Sequence, residues 1–368
     1  MNTRREFLGT TAGALAGIAF VGCDLLTAAP ARAQARRREV MVGGRRVKTV
    51  DVHAHCAVPE AMALMGMKLS TPGSTLPPLL HMATQASERI RAMDEQGIDV
   101  EALSINPYWY KADRDVASQL IKLQNEKLAE ACAAHPDRFV AFATVALQHP
   151  DLAAQQLEEG VKKYGLRGAG IGGSVNGEEL SDPKFHPFWT KAEQLGALVF
   201  IHPQGTGVAV DLQNRLKGNG LLDNVIGNPL ETTVALSHLI FEGTLDRFPG
   251  LKICAAHGGG FLPSYGGRSD QGCNVFPDRC PGPRDGALKK KPTEYLRQMY
   301  YDNILFSPEA MRHIIAEVGA SQIVVGTDYP YPWTKTAVDL VMSTPGLSDA
   351  DRAAILGGTA ATLLGIKT

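Results

Sequence analysis

Short apolar runs alternate with longer amphipathic stretches along this chain, from residue 47 to the carboxyl terminus. Most of the runs are rich in Val, Ile, Leu or Phe and are bounded by turn residues, which predicts strands. The eight predicted strands are 47–54, 100–105, 139–145, 167–171, 198–202, 252–257, 301–306 and 322–328. Strands that alternate with helices are typical of parallel βα units. Eight such units without a linker predict an α/β fold, a single-domain (β/α)8 TIM barrel over residues 36–368.

The stretches between the strands carry signals for helix starts and for long loops. Asn228-Pro229-Leu230-Glu231 predicts a helix with Asn228 as its N-cap and Glu231 as a capping carboxylate. Ser307 and Ser348 precede two further helices. Residues 56–80, with four prolines, and the glycine-rich residues 206–226 interrupt the alternation. We expect both to lie over the barrel mouth, the first as a lid, although a flexible surface excursion is its alternative.

The first 35 residues have the pattern of an export signal. Thr3-Arg4-Arg5-Glu6-Phe7-Leu8 is a twin-arginine motif, residues 12–21 are an apolar run, and Ala31-Arg32-Ala33 is a small-residue cleavage site. A cytosolic amphipathic start or a membrane anchor are the alternatives, but the apolar run is short for a bilayer span. We therefore expect export to the periplasm by the twin-arginine route, with cleavage after Ala33 or lipidation at Cys23.

Composition and charge exclude some classes of function. The chain has 368 residues, of which 44% are hydrophobic and 20% charged, with a formal net charge of -1. This composition is that of a globular protein, and the near-zero charge argues against a nucleic-acid partner. After processing, no stable membrane span is expected. Cys273 and Cys280 flank a turn-rich loop and could form a disulfide in an oxidising compartment or remain as two thiols.

Polar residues stand at the ends of several predicted strands. His53 and His55 end the first strand two residues apart, so their side chains face the same side. His202 ends the fifth strand, His257 the sixth and Asp328 the eighth. Each residue alone has an ordinary explanation, as a core histidine or a loop-capping aspartate. Because strand ends converge on one rim of a barrel, the five together favour a site for one divalent ion, Zn2+ first and Mn2+ as the alternative.

Several motifs resemble those of the amidohydrolase superfamily, in the amidohydrolase-related (family 2) branch typified by aminocarboxymuconate semialdehyde decarboxylase. The resemblance covers roughly residues 47–365. The motifs that carry it are Asp51-Val52-His53-Ala54-His55, Asn228-Pro229-Leu230-Glu231-Thr232-Thr233, Phe248-Pro249-Gly250-Leu251-Lys252, Ala256-His257-Gly258-Gly259-Gly260 and Gly326-Thr327-Asp328-Tyr329-Pro330.

This resemblance implies a role for each polar residue of the rim. The metal would be held by side chains from three strands, namely His53, His55, His202 and Asp328. His257 would be the catalytic acid–base residue, and Asp328 would also carry a proton during catalysis. Arg268, eleven residues after His257, matches an arginine that the family sends into the neighbouring subunit's site to hold a substrate carboxylate. The protein would therefore be a homodimer.

Other residues bear on the number of metals and on the substrate. Dinuclear amidohydrolases usually bridge two metals with a carboxylated lysine or a glutamate at the end of strand four. Here that strand ends Gly170-Ile171-Gly172-Gly173, which favours one metal. The family's decarboxylase binds its substrate with an arginine in the loop after strand one, but residues 56–88 of this chain contain no arginine. Gln204 stands where that decarboxylase has a tryptophan. After strand two, residues 106–110 include Asn106, Tyr108, Trp109 and Tyr110, which could line a pocket or lie on the surface.

The resemblance implies a mononuclear metal-dependent decarboxylase, a C–C lyase acting without oxidation on a small unsaturated or aromatic carboxylic acid. One alternative is a metal-dependent hydrolase of a lactone, ester or amide, because a metal beside an acid–base pair stabilises oxyanion charge in both reactions. A second alternative is an exported protein that binds an aromatic acid without catalysis. The presence of all five polar rim residues counts against the second alternative.

Overall fold

A computed structural model describes residues 37–67, 82–205, 210–280 and 288–367. Eight parallel strands lie at its centre, in the order that the sequence predicts. They are β1 (Val50–His55), β2 (Val100–Ser104), β3 (Phe139–Ala141), β4 (Gly168–Gly172), β5 (Leu198–His202), β6 (Lys252–Ala255), β7 (Tyr300–Asp302) and β8 (Ile323–Val324).

The eight strands close into a barrel. Strands β8, β7, β6, β5 and β4 form one parallel ladder, and β1, β2 and β3 form a second. A bridge between Asp51 and Val325 joins β1 to the residue after β8, and a bridge between Ala143 and Ala169 joins the end of β3 to β4. All neighbouring strands are therefore paired, and the predicted (β/α)8 TIM barrel is confirmed.

Helices follow the strands and cover the outside of the barrel. They are α1 (Pro59–Ala63), α2 (Met82–Gln96), α3 (Arg114–Ala134), α4 (Pro150–Lys162), α5 (His186–Leu195), α6 (Val210–Arg215), α7 (Asn228–Phe241), α8 (Thr244–Arg247), α9 (Leu262–Val275), α10 (Pro292–Leu296), α11 (Pro308–Val318), α12 (Ala337–Ser343), α13 (Asp349–Ala353) and α14 (Thr359–Leu364). Two antiparallel hairpins pair Met41–Val42 with Arg45–Arg46 and Ser174–Val175 with Glu178–Glu179.

Two of the three predicted helix caps are confirmed. The Ser307 hydroxyl accepts from the backbone N–H of Ala310, and the Ser348 hydroxyl accepts from that of Asp351. The prediction that Asn228 caps α7 is wrong. A π turn at Asp223–Gly227 leads directly into α7, so Asn228 is already helical and its backbone cannot take the extended conformation of a cap.

Both predicted loops contain helices where the structure describes them. Helix α1 lies within residues 56–80, and residues 68–81 lie outside the described residues. Helix α6 and the π turn lie within residues 206–226, of which residues 206–209 are not described. The prediction that residues 56–80 form a lid stays a prediction.

The structure also tests whether Cys273 and Cys280 pair and whether a described helix could span a membrane. Cys273 and Cys280 form a disulfide with their Cα atoms 5.1 Å apart, which is one of the two alternatives left open by the sequence. In the described ranges, no helix is long and apolar enough to cross a membrane. The predicted export signal, including Cys23, lies outside the described residues and stays a prediction.

Candidate metal centre and active site

The five polar residues predicted at the barrel rim lie together in the structure. His53 Nε2 is 2.9 Å from His55 Nε2, and Asp328 Oδ1 is 3.2 Å from the first and 2.9 Å from the second. The ring of His202 is centred 4.9 Å from that of His53 and 4.6 Å from that of His55. Donor atoms of His53, His202, His257 and Asp328 all lie within 4.8 Å of one another. One ion could therefore contact atoms from β1, β5 and the loops after β6 and β8.

When both rings are neutral, the hydrogen bonds around the two histidines of β1 leave a lone pair on the Nε2 of each ring. His53 Nδ1 donates to Asp302 Oδ2 at 2.6 Å, which leaves a lone pair on Nε2 of the neutral ring. The Ser104 hydroxyl donates to Ala54 O at 3.1 Å, so it accepts from His55 Nδ1 at 3.2 Å. The two Nε2 lone pairs then face each other at 2.9 Å. Such a contact is repulsive unless a proton or a metal ion lies between the nitrogens, so these donors fit a metal ion that replaces the proton.

Burial and neighbouring charges shift the pKa values of the histidines and of Asp328 at the metal centre. Burial acts to lower the pKa of His53, but Asp328 and Asp302 outweigh burial and raise this pKa to about 10. Burial lowers the pKa of His55 to about 4 and holds that of His202 well below its usual value. Burial acts to raise the pKa of Asp328, yet the neighbouring histidines hold it well below the usual range. The cluster therefore favours neutral His55 and His202 and an ionised Asp328, which are the forms that bind metals. The raised pKa of His53 means that this ring carries a proton beside the two carboxylates, and a metal ion would take the place of that proton.

Asp302, at the end of β7, is a site residue that the sequence reasoning missed. Besides its contact with His53, its carboxylate accepts from the backbone N–H groups of His257 and Gly258, each at 3.0 Å. It also accepts from the N–H of Ile304 at 3.1 Å. Asp302 is fully buried, and its two oxygens join the side chain of a predicted ligand to the backbone of the predicted acid–base residue.

Asp302 was missed because the seventh strand was predicted too long. The apolar residues up to Phe306 predict that the strand ends at Phe306, whereas β7 ends four residues earlier, at Asp302. A buried Asp between Tyr301 and Asn303 was the available signal, since charged residues inside a strand pattern are rare unless they are paired.

The end of β4 explains why one metal fits better than two. A Cβ at Gly172 would lie 2.6 Å from Gln204 Oε1, and a Cβ at Gly173 would lie 3.0 Å from the Glu231 side chain. Glu231 is buried, and its two oxygens accept from the backbone N–H groups of Gln204 at 3.0 Å and Gly205 at 2.8 Å. Glu231 thus fixes the loop after β5 and does not cap α7 as predicted. Gln204 and Glu231 therefore fill the space that a bridging side chain at the end of β4 would need.

The barrel mouth holds a cavity of two compartments, and His257 and Asp328 line both of them. The first, of about 310 Å³, is lined mainly by neutral polar groups from Asn106, Tyr108, Gln204, Asn224, Asn228 and Tyr331. The second, of about 300 Å³, is lined mainly by apolar groups from Val225, Pro229, Phe261, Ile304, Leu305 and Phe306. Trp333, Asn224 and Asn228 also line both compartments. No lysine or arginine of the described residues lines either compartment.

Three residues that line the apolar compartment have a left-handed backbone, although none is glycine. The φ angles are +54° at His257, +59° at Phe306 and +59° at Asp328. Such a conformation costs roughly 1–3 kcal/mol in a non-glycine residue and is concentrated at functional sites. The hydrogen bond from Asp328 N to His53 O, at 2.8 Å, holds one of these turns, and Asp302 holds another. The strain at Phe306 therefore marks it as a candidate functional residue.

The remaining predicted site residues fall into three groups. Asn106 and Tyr108 line the polar compartment. Trp109 and Tyr110 are buried in the core, where Trp109 Nε1 donates to Val145 O, so the prediction of a pocket or surface position is wrong for both. Arg268 is exposed on α9 and lines neither compartment of its own chain. Its predicted position in a neighbouring subunit's site stays a prediction.

A closed (β/α)8 barrel whose strand ends hold imidazoles and a carboxylate around one point is the architecture of metal-dependent barrel enzymes. The chain belongs to the amidohydrolase family, whose pattern matches residues 50–366.

Several proteins that resemble the chain are named decarboxylases. The 2-amino-3-carboxymuconate-6-semialdehyde decarboxylase of Dictyostelium discoideum is 32% identical over 285 residues, which are 76% of this chain and 76% of that protein. The gamma-resorcylate decarboxylase of Rhizobium radiobacter is 30% identical over 321 residues, 83% of this chain and 94% of that protein. The crystal structure of a dihydroxybenzoic acid decarboxylase from Polaromonas sp. JS666, with bound manganese and the inhibitor 2-nitroresorcinol, matches with a TM-score of 0.74 and 28% identity. It covers 87% of this chain and 97% of that one.

Proposed function

We propose that this protein is a metal-dependent decarboxylase that removes CO2 from a small aromatic carboxylic acid without oxidising it. The observation that carries the proposal is that His257 and Asp328, 3.9 Å apart at the metal centre, line both the polar and the apolar compartment. The decarboxylase names of the relatives support the same reaction.

We propose that His53, His55, His202 and Asp328 hold one divalent ion. A divalent ion held there would supply positive charge against which the oxygen atoms of an acid substrate bind. Zn2+ is our first choice, because imidazole-rich sites bind it more tightly than Mn2+. The manganese of the Polaromonas relative supports Mn2+ as the alternative.

In the proposed reaction, the bond between the ring and the carboxylate carbon breaks, and CO2 leaves. The ring carbon keeps the electron pair of that bond and gains one proton, so the reaction needs no oxidant. The proton has two candidate carriers, because His257 Nε2 lies 3.9 Å from Asp328 Oδ2 and both side chains line the cavity. We propose that His257 holds the proton and that Asp328 passes it to the ring carbon.

The two compartments favour a ring with different substituents on its two sides. The amides of Asn106, Gln204 and Asn228 and the hydroxyl of Tyr108 suit neutral hydrogen-bonding substituents such as hydroxyl or methoxy groups. Phe306 and Trp333, with ring centroids 6.3 Å apart, suit the unsubstituted edge or face of an aromatic ring. A hydroxylated benzoate therefore fits the cavity better than an aliphatic acid.

Two further proposals concern the assembly and location of the protein. We propose a homodimer in which Arg268 of each chain enters the partner's site, because Arg268 is exposed and its own cavity lacks a cation among the described residues. We also propose export by the twin-arginine route, on the basis of Arg4-Arg5 and the cleavage site ending at Ala33. Replacing Arg4 and Arg5 by lysine should leave the protein in the cytoplasmic fraction.

The proposed reaction is tested by measuring CO2 release from a panel of acids by the purified, metal-loaded chain. The panel contains 2,6-dihydroxybenzoate, 5-carboxyvanillate and unsubstituted benzoate, with aromatic lactones and esters as controls for hydrolysis. We expect CO2 and the decarboxylated phenol in equal amounts from at least one hydroxylated acid, and at least about 10²-fold slower release by His257→Asn. Hydrolysis of a lactone without CO2 release would support the hydrolase alternative and overturn the proposal.

A further inference from the structure

Arg89 is a fully buried arginine that neither the sequence motifs nor the proposed reaction uses. It lies on α2 and is 2% exposed. Its Nη1 donates to Glu101 Oε2 at 2.8 Å, and Glu101 on β2 is equally buried. A buried ion pair of this kind contributes little net stability, because the two charges lose their hydration. Its position therefore needs an explanation other than stability.

The second contact of Arg89 reaches the metal centre. Its Nη2 donates to the backbone carbonyl of His55, a predicted metal ligand. The guanidinium carbon also lies 4.7 Å from the centre of the Tyr329 ring, next in sequence to Asp328. The planar guanidinium thus contacts one predicted ligand, His55 at the end of β1, and the neighbour of another, Tyr329 in the loop after β8.

The backbone of the same two strand ends is joined directly. His55 N donates to Tyr329 O at 2.6 Å, and Asp328 N donates to His53 O at 2.8 Å. These bonds fix how far His55 lies from Asp328, and Arg89 contacts one residue from each side of this pairing. A shift of either strand end would separate His55 Nε2 from Asp328 Oδ1, which lie 2.9 Å apart.

We propose that Arg89 is a positioning residue for the metal centre. Arg89 holds the His55 carbonyl and the Tyr329 ring, so that His55 and Asp328 keep the spacing that one ion requires. Residues that orient metal ligands typically contribute 10- to 100-fold to metal affinity. The inference concerns metal affinity and goes beyond the proposed reaction, so its test does not depend on the substrate.

A second buried arginine offers a matched control. The Arg138 side chain is 8% exposed, pairs with Asp94 at 2.8 Å and donates to the backbone carbonyls of Ile98 and Asp99. It precedes β3 at the amino-terminal end of the barrel, opposite the metal centre. Arg138→Met and Arg89→Met therefore each remove an ion pair of a buried arginine and at least one hydrogen bond to a backbone carbonyl, but only Arg89 contacts a predicted ligand.

The experiment measures the Kd for Mn2+ of the metal-free full chain by competition with a chelating dye. Melting of the metal-free proteins is recorded alongside. We expect both variants to melt at lower temperature than the unmodified chain. Arg89→Met should raise the Kd about 10- to 100-fold, whereas Arg138→Met should leave it within about threefold. Equal effects of the two variants on the Kd, or an unchanged Kd in Arg89→Met, would overturn the proposal.

A second variant covers the case in which Arg89→Met does not fold. Lysine keeps the positive charge beside Glu101, but it has one donor group where arginine has a fork, so it cannot hold Glu101 and the His55 carbonyl in the same way. Arg89→Lys should fold and still raise the Kd at least about fivefold, a smaller loss than the full contribution of an orienting residue. A Kd equal to that of the unmodified chain would overturn the proposal. Absence of Mn2+ binding by the unmodified chain would overturn the metal centre itself.

Discussion

The Asp302 carboxylate lies 2.6 Å from Nδ1 of His53 and accepts a hydrogen bond from it. Because the same carboxylate accepts from the backbone of His257, one buried side chain determines both the tautomer of a predicted ligand and the turn of the predicted acid–base residue. We therefore expect Asp302→Asn to raise the Kd for the metal about 10- to 100-fold. Asparagine has the same shape, but an amide nitrogen takes the place of one carboxylate oxygen and cannot accept the hydrogen bonds that this oxygen accepts.

Asp246→Asn is the matched control for this change. Asp246 is a buried acid that accepts from the backbone N–H of Lys289 at 3.1 Å, and it does not line the metal centre. Metal titration of the two variants separates the roles. Equal metal affinity in Asp302→Asn and Asp246→Asn would show that Asp302 only stabilises the fold.

Metal content is the second prediction. Elemental analysis of protein matured in the cytoplasm should give close to one divalent ion per chain, and a value near two would contradict the mononuclear site. Removal of the ion with a chelator should lower the melting temperature, since an ion at 100 times its Kd stabilises the folded state by about 2.7 kcal/mol. His55→Ala should abolish this difference between the metal-loaded and metal-free protein.

The third prediction separates catalysis at His257 from metal binding. His257→Asn should keep the metal, while turnover falls about 10²- to 10⁴-fold, the usual contribution of a general acid–base residue. Asparagine is suited to this test because it tolerates the left-handed backbone at this position, where φ is +54°. Turnover and metal content are measured on the same sample.

The outcome for His257 has two clear alternatives. If His257→Asn loses the metal, His257 is a ligand, as its place within the cluster of donor atoms would allow. If turnover stays within a few-fold of the unmodified chain, another group carries the proton. His238→Asn, at a half-exposed position on α7, is the control for a change of histidine elsewhere.

The sequence predicted the barrel and the five polar rim residues because both follow from local patterns. A strand run that ends in His or Asp is visible without tertiary structure, as at His202 and Asp328, and a closed barrel brings all such ends to one rim. Asp302 and Arg89 could not be found in this way. Their roles depend on which atom of which distant residue each side chain reaches, and residue spacing does not contain that information.

The cavity walls show the same limit. The apolar pattern predicts a strand at Phe306, but its backbone is left-handed and the residue is 56% exposed at the cavity. Glu231 was assigned to a helix cap from its spacing after Asn228, yet its carboxylate reaches the backbone of Gln204 on another loop. In both cases tertiary contacts outweigh the local pattern.

The fourth prediction concerns Phe306 and its aromatic neighbour. The chain has three tryptophans, and Trp109 and Trp189 are fully buried, so Trp333 alone should report a ligand in the cavity by fluorescence. Binding of 2,6-dihydroxybenzoate should quench this emission. Phe306→Gly should raise the Kd of the ligand at least about tenfold through loss of ring contact, worth about 1.4 kcal/mol.

Stability and a surface control make the Phe306 prediction specific. Phe306→Gly should unfold at nearly the same free energy as the unmodified chain, because relief of the left-handed backbone offsets the added freedom of glycine. Phe276→Gly, at a phenylalanine that is 62% exposed after α9, should leave ligand binding unchanged. Quenching that persists in Trp333→Phe would mean that the signal comes from another tryptophan and that the ligand lies elsewhere.

The last prediction tests whether Arg268 serves the partner's site. An arginine grips a carboxylate through two parallel hydrogen bonds, and lysine cannot reproduce this geometry. Arg268→Lys should therefore raise KM strongly for an acidic substrate, with metal content unchanged. An exposed helix-surface arginine without a role would leave both quantities as they are. The comparison of KM for 2,6-dihydroxybenzoate and for 5-carboxyvanillate shows whether a second carboxylate increases the effect.

Mixing two inactive variants gives the sharper test of the same arrangement. Chains with Arg268→Ala are combined with chains with His257→Asn, and subunit exchange is confirmed by mass. If each site draws its arginine from the partner, one site of the heterodimer carries both defects and the other carries neither, so part of the activity should return. If Arg268 serves its own chain, every site keeps one defect, and the mixture stays inactive. A protein that is monomeric at assay concentration would overturn the arrangement before any mixing.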